Sequence, residues 1–130
     1  MRKPLFFLVL LLSLLGAWIA GCSQGDRPEL AEATGTITLD GKPLAGATVL
    51  FRPSEGGRPS RGFTDDSGRY ELTYIRDIKG AQLGSHQVII TTATEQQPEE
   101  RLPGRYNQAT TLTAEVQAGS GSHDFELSSR

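Results

Sequence analysis

From Thr36 onward the apolar residues fall on alternate positions, a two-residue period that suits strands and that a helix cannot use. In Thr36-Ile37-Thr38-Leu39, Ile37 and Leu39 share one face and two threonine hydroxyls the other. Residues 47–52 repeat the pattern with Ala47, Val49 and Phe51 inward, and residues 69–74 repeat it with Tyr70, Leu72 and Tyr74. Residues 61–64, 85–92, 111–116 and 123–127 complete a set of seven segments, with Val88-Ile89-Ile90 dense enough for a central strand.

Turn chemistry separates these segments. Asp40-Gly41 reverses the chain after the first, and Gly46 permits a close backbone approach where the second begins. Pro53 closes the second because it has no N–H for a ladder. In Asp65-Asp66-Ser67-Gly68 the carboxylates can accept their own backbone N–H groups, and Gly68 tolerates positive φ. Residues 75–84 read as a loop or one irregular turn, and 94–108 as a surface excursion tied down by Leu102, Pro103 and Tyr106. The Gly-rich stretch 117–122 joins the last two segments in a predicted hairpin. Seven strands without a useful helix predict an all-β, Ig-like two-sheet sandwich. Its inward set is Ile37, Leu39, Leu44, Val49, Phe51, Phe63, Tyr70, Leu72, Tyr74, Val88, Ile90, Leu102, Tyr106, Leu112, Ala114, Val116, Phe125 and Leu127.

The first residues follow another rule. Arg2 and Lys3 precede an uncharged run from Pro4 to Gly25, dense in Leu and Phe and ending in small residues. This is the layout of an export signal. Residues 5–19 would make a helix of about 22 Å, short of a hydrocarbon core of roughly 30 Å, which disfavours an uncleaved anchor, although counting on to Cys22 leaves a tilted span open. Ile19-Ala20-Gly21-Cys22 resembles the lipobox of bacterial lipoproteins, with Ile19 in place of the commoner Leu. The resemblance implies removal of residues 1–21 as a signal peptide, with Ile19, Ala20 and Gly21 as the processing residues and diacylglycerol on the Cys22 sulfur. Several acyl chains make a stable anchor where a single one is marginal. The expected partners are therefore a membrane, reached through lipid on Cys22, and an unidentified envelope protein or polymer. Ser23 rather than Asp after the cysteine favours the outer membrane, facing the periplasm, over the inner one in a two-membrane host. Residues 22–33 are expected to be a lipidated, flexible tether, 34–127 the folded domain, and 128–130 a tail.

Removing the leader changes the charge as well as the length. Net charge is −2 for all 130 residues and −4 once Arg2 and Lys3 leave. An acidic domain without a basic cluster in sequence gives no footprint for nucleic acid. The single cysteine, expected to be blocked by lipid, leaves no intrachain disulfide and no disulfide-linked partner.

Residues 35–49 (GTITLDGKPLAGATV) and 64–70 (TDDSGRY) resemble the carboxypeptidase-regulatory-like domains, with Ile37 where the family has Val and Tyr70 at the aromatic position. Residues 80–91 and 102–107 are similar to later segments of small lipoproteins of this type in planctomycete-like bacteria. The resemblance spans about residues 34–127. It implies a seven-stranded, prealbumin-like (transthyretin-like) sandwich, and an accessory domain without its catalytic partner. Transthyretin-like hydrolases that share the fold end in Tyr-Arg-Gly-Ser, whereas this chain ends Glu126-Leu127-Ser128-Ser129-Arg130.

The residues themselves point away from catalysis. There is no His-Glu-x-x-His and no Gly-x-Ser-x-Gly, and His86 and His123 are the only imidazoles. Asp65, Asp66 and Asp77 lack the alternation and terminal Glu of an EF-hand loop, so Asp40, Gly41, Gly46, Asp65, Asp66 and Gly68 read as structural turn residues. No cofactor and no metal are expected. Glu99, Glu100, Arg101, Arg105 and Tyr106 in the long loop are the candidate interaction surface. The expectation is a non-enzymatic envelope lipoprotein, a structural or protein-interaction module with charged loops. The alternative is a sandwich that binds a glycan or small ligand in a concave, aromatic-lined site.

Overall fold

A computed structural model describes residues 27–119 and 121–130. The leader 1–21, the processing residues Ile19, Ala20 and Gly21, and lipidation at Cys22 lie outside the described residues.

The described chain is all-β. In order, its strands are β1 (Leu30–Ala31), β2 (Ala33–Leu39), β3 (Lys42–Pro43), β4 (Thr48–Pro53), β5 (Ser60–Phe63), β6 (Arg69–Glu71), β7 (Thr73–Ile75), β8 (Ile78–Lys79), β9 (Ala81–Gln82), β10 (Gly84–Thr91), β11 (Thr113–Val116), β12 (Gly121–Ser122) and β13 (Phe125–Leu127). A single 3₁₀ turn, Gly104–Tyr106, interrupts the long loop. These thirteen strands form three sheets, which overturns the expected seven-stranded two-sheet sandwich of Ig-like or prealbumin-like form. The largest sheet runs β11-β10-β4-β5-β7-β8; β2 organises the second with β3, β6, β12 and β13; β1 and β9 form a two-stranded ribbon.

Three local events explain the difference. The segment 69–74 does not stay in one sheet: β6 pairs with β2, whereas β7 pairs with β5. The chain crosses at Leu72, whose N–H donates to the Ala33 carbonyl at 2.9 Å and whose own carbonyl accepts from Gly80 at 2.9 Å. The predicted hairpin at the end of the chain is also absent. β11 runs antiparallel to β10, and β13 runs parallel to β2, so residues 117–122 pass between sheets rather than closing a turn. Third, regular pairing starts at Leu30, with β1 on β9 and Ala33 at the head of β2. Residues 30–33, expected in the tether, are therefore built into sheets.

The interior follows the predicted faces with one reversal. Ile37, Val49, Phe51, Leu72, Val88 and Ile90 are fully buried, joined by Leu44, Tyr70, Leu102, Tyr106, Val116 and Leu127. Leu39, Leu112, Ala114 and Phe125 pack half-buried against them; Tyr74 too is only half-buried. Four alanines, Ala31, Ala33, Ala47 and Ala81, complete the core where strands approach closely. The reversal is β5. Ser60 and Gly62 face inward, while Phe63, expected inside, is 66% exposed. A Cβ at Gly62 would lie 2.7 Å from the Glu71 carbonyl oxygen, so only glycine fits beneath the sheet crossing and the large side chain takes the outer face.

At the centre, the Phe51 ring is ringed by Tyr70, His86, His123 and Phe125, with centroids 5.5–6.4 Å away. His86 is 1% exposed, with Nδ1 3.0 Å from the Gly84 carbonyl oxygen and Nε2 without a partner among the described residues. Burial disfavours its charged form and holds its pKa below the usual imidazole value, against the Gly84 carbonyl and Glu115, which pull the other way.

Candidate functional site

The crossing at Leu72 has a consequence on the outside. Where β6 leaves one sheet and β7 enters the other, the outer faces of β2, β5, β6 and β7 border a common open cleft of about 1180 Å³. Because Ser60 and Gly62 point in, Arg61 and Phe63 point out on β5. Arg61 lies opposite Leu50 on one neighbour and Thr73 on the other, and Phe63 lies opposite Thr48. Phe63 is the one large apolar side chain exposed among the described residues, and Tyr74 also lines the cleft.

The cleft gathers positive charge on an acidic domain. Arg58, Arg61, Arg69, Arg76 and Lys79 line it, against Glu32, Asp65 and Glu71. The cleft is thus +2, while the remainder of residues 22–130 is −6. Two of the three carboxylates are already engaged. Asp65 accepts from the backbone N–H groups of Ser67 at 2.9 Å and Arg69 at 3.0 Å, and Glu71 pairs with Lys79 at 3.5 Å. Among the described residues, no ion pair or side-chain hydrogen bond engages the guanidinium groups of Arg58, Arg61, Arg69 and Arg76. Thr34, Thr36, Thr73 and Ser122 add hydroxyls to the lining. Clustered cations in a concave site focus a positive potential that attracts anions even when the whole domain repels them.

The residues singled out in sequence for an interaction surface lie elsewhere. Glu100 pins the long loop to the end of β10. Its carboxylate accepts from the Thr91 hydroxyl, from the Thr92 N–H at 2.9 Å and hydroxyl at 2.7 Å, and from the Leu102 N–H at 3.2 Å. The Arg101 N–H donates to the Thr92 hydroxyl at 2.9 Å. Tyr106 is buried, its hydroxyl accepting from the Ser128 N–H at 2.9 Å. Arg105 stacks 4.7 Å over the Tyr106 ring and reaches the Ser128 carbonyl at 2.9 Å. The guanidinium and hydroxyl therefore hold residues 128–130, together with Asp40, which accepts from the Ser129 N–H and hydroxyl. Only Glu99 and the Arg101 side chain face solvent without a partner of this kind.

Burial by itself would raise the Glu100 pKa, but the hydrogen bonds from Thr91, Thr92 and Leu102 outweigh it and hold the group at about 2. A depressed carboxylate stabilises the fold above its unfolded value of 4.5, and that contribution is lost as pH falls through the folded value. Glu100→Gln should lower stability at pH 7 by about 1–2 kcal/mol, allowing for solvent screening of a half-exposed group. In urea titrations the gap between variant and parent should narrow markedly at pH 3; a gap independent of pH would refute this account.

The turn residues serve the strands. Asp40 and Gly41 both have positive φ, 53° and 83°, as a tight reversal between β2 and β3 requires. Gly46, at φ 71°, precedes the entry to β4. Gly68 has φ 77°, and a Cβ there would meet the Ile37 carbonyl oxygen at 2.4 Å. Asp66 makes no hydrogen bond of the Asp65 kind and is exposed. No group of three or more His, Cys, Asp or Glu side chains that could hold a metal ion occurs among the described residues.

The signal that sequence reasoning missed was the small-x-small pattern Ser60-Arg61-Gly62, which marks the inner face of β5 and so places Phe63 outside. No family model, no curated protein and no solved structure matches the chain.

Proposed function

We propose that this chain is a lipid-tethered, non-catalytic binding module of a cell envelope, and that its binding face is the cleft beside Phe63. The observation that carries the reading is the pairing of an exposed aromatic ring with a concave cationic wall on an otherwise acidic domain. It favours a glycan or small-ligand site over a module that works through its long loop, since Glu100, Arg105 and Tyr106 of that loop are occupied in holding the fold. The lipobox-like Ile19-Ala20-Gly21-Cys22 supports display on a membrane, by lipid on Cys22 after loss of residues 1–21, with Ser23 favouring the outer membrane of a two-membrane host. The resemblance of residues 35–49 and 64–70 to carboxypeptidase-regulatory-like domains supports an accessory role without chemistry of its own.

Site-specific photocrosslinking on intact cells tests this. A photoreactive residue at Arg76, inside the cleft, should capture cell-wall polymer or a small ligand, while the same residue at Glu99 should not. The membrane extract of those cells should contain the chain at the mass of a Cys22-lipidated product. A discrete protein captured from Glu99 alone would replace this reading with a protein-interaction module, and an unmodified Cys22 would remove the tether.

A further inference from the structure

We propose that the occupant of the cleft is a linear acidic polysaccharide whose carboxylates meet the arginines while one sugar ring stacks on Phe63. This rests on the reading that the cleft is the binding face. The argument begins with β5, where Arg61 and Phe63 share the outer face two residues, or about 7 Å, apart. An aromatic ring and a guanidinium on such a spacing suit a ligand that offers a flat C–H face and a planar anion in succession. The pyranose of a uronic acid does so: its axial hydrogens pack on an aromatic face, and its carboxylate takes two parallel N–H donors from one arginine.

The rest of the wall fits the same chemistry. Arg69 lies opposite Thr36 where β6 meets β2, and Arg61 lies opposite Thr73 where β5 meets β7. Each of these guanidinium groups therefore has a hydroxyl-bearing neighbour of the kind that hydrogen-bonds sugar hydroxyls. Arg58 and Arg76 extend the cationic wall beyond that row. An anionic ligand would give the four arginines the partners they lack among the described residues, and because the cleft is open rather than enclosed a polymer chain can pass through it. The acidity of the remaining surface repels a polyanion everywhere else and so orients it toward the trough. An acidic peptide would satisfy the charge but leaves Phe63 without a saccharide face. Nucleic acid would meet both the charge and the ring, and the oligothymidylate arm of the test below separates it from the polysaccharide.

The test is calorimetric titration of the full-length chain in mild detergent with four probes: polygalacturonate fragments, their fully methyl-esterified form, poly-L-glutamate and single-stranded oligothymidylate. Polygalacturonate should bind saturably, about tenfold more tightly than each of the others, and more weakly as salt rises. Phe63→Ala should weaken it about tenfold and Phe63→Tyr should leave it near the parental value. Arg61→Gln and Arg69→Gln should each weaken it severalfold, and Arg101→Gln, outside the cleft, should not. Phe63 and these arginines are exposed, so the variants should keep the parental fold, checked by circular dichroism. Equal binding of the methyl ester, lost on Phe63→Ala, would overturn the acidic ligand and leave the cleft as a glycan site. Equal binding of poly-L-glutamate or oligothymidylate would reduce the site to charge and overturn the saccharide. Binding that none of the cleft variants alters would overturn both this inference and the reading on which it rests.

Discussion

Replacing Gly35 with alanine is expected to lower the unfolding free energy by about 3 kcal/mol, a large part of the roughly 5–15 kcal/mol that a domain this size holds. A Cβ at Gly35 would lie 1.9 Å from the His123 carbonyl oxygen and 2.8 Å from the Tyr70 hydroxyl oxygen. Neither neighbour is free to retreat. The His123 N–H donates to the Thr34 carbonyl at 2.7 Å, and the Tyr70 hydroxyl donates to that same His123 carbonyl. One side of β2 is held further by the Thr36 N–H on Asp124 at 2.8 Å. The added methyl must therefore push β2 away from residues 123–124 and break bonds on both. Urea titration followed by far-ultraviolet circular dichroism measures the loss. Gly104→Ala is the control, because a Cβ there meets nothing within 4 Å, and it should change stability by no more than about 0.5 kcal/mol. Equal behaviour of the two variants would show that β2 and residues 123–124 do not pack as described.

The second large effect is expected at the sheet crossing. Leu72→Ala should cost about 3–4 kcal/mol, because Leu72 is fully buried and the strands around it are fixed by backbone bonds that prevent collapse into the cavity. Its side chain lies against the inward-facing surface at Gly62, where no residue larger than glycine is available to fill the space. The loss should be local in a telling way. Hydrogen exchange at the Leu72 and Gly80 amides, which bond across the crossing, should accelerate more than exchange along the β4–β10 pairing. Uniform acceleration would place the cavity's effect in the whole core rather than at the crossing. Phe63→Ala, only one strand away but exposed, should leave stability nearly unchanged.

Sequence period and turn chemistry revealed most of the strands because both are local. Ile37, Val49, Phe51, Val88 and Ile90 fall on the inner face as their alternation requires, and Asp40-Gly41 turns where its residues demand. What alternation does not carry is the identity of the partner strand. Tyr70 and Leu72 face inward whether or not the chain changes sheets between them, so the crossing left no mark on the 69–74 pattern. The same holds for β11 and β13, which alternate cleanly and sit near each other in sequence, yet belong to different sheets. Hydrophobicity alone puts Phe63 inside, against the small residues Ser60 and Gly62 that mark the inner face of its strand. The decisive fact was the 2.7 Å approach of the Glu71 carbonyl to the Gly62 position, which only tertiary packing creates. The candidate site suffered most, since its cations come from the loop before β5 and from β5, β6, β8 and the β7–β8 turn, and no stretch of sequence looks basic. The 94–108 loop drew notice for its charge, but Glu100 spends that charge on neighbouring N–H and hydroxyl groups.

The parallel pairing of β2 with β13 also bears on how the domain comes to be folded. Thr36 meets Asp124 at a sequence separation of 88 residues, and Ile37 pairs with Phe125 beside it. During synthesis β2 is made early and stays one partner short on that side until the segment at Phe125 has emerged. Loop closure over such a span must precede the reward of the contact, which places the domain among slow-folding β topologies, in the millisecond-to-second range. Until then Ile37 and Leu39 have no complete sheet in which to hide. A nascent chain of this kind needs either rapid passage to its folding compartment or a holding partner that shields an open strand edge.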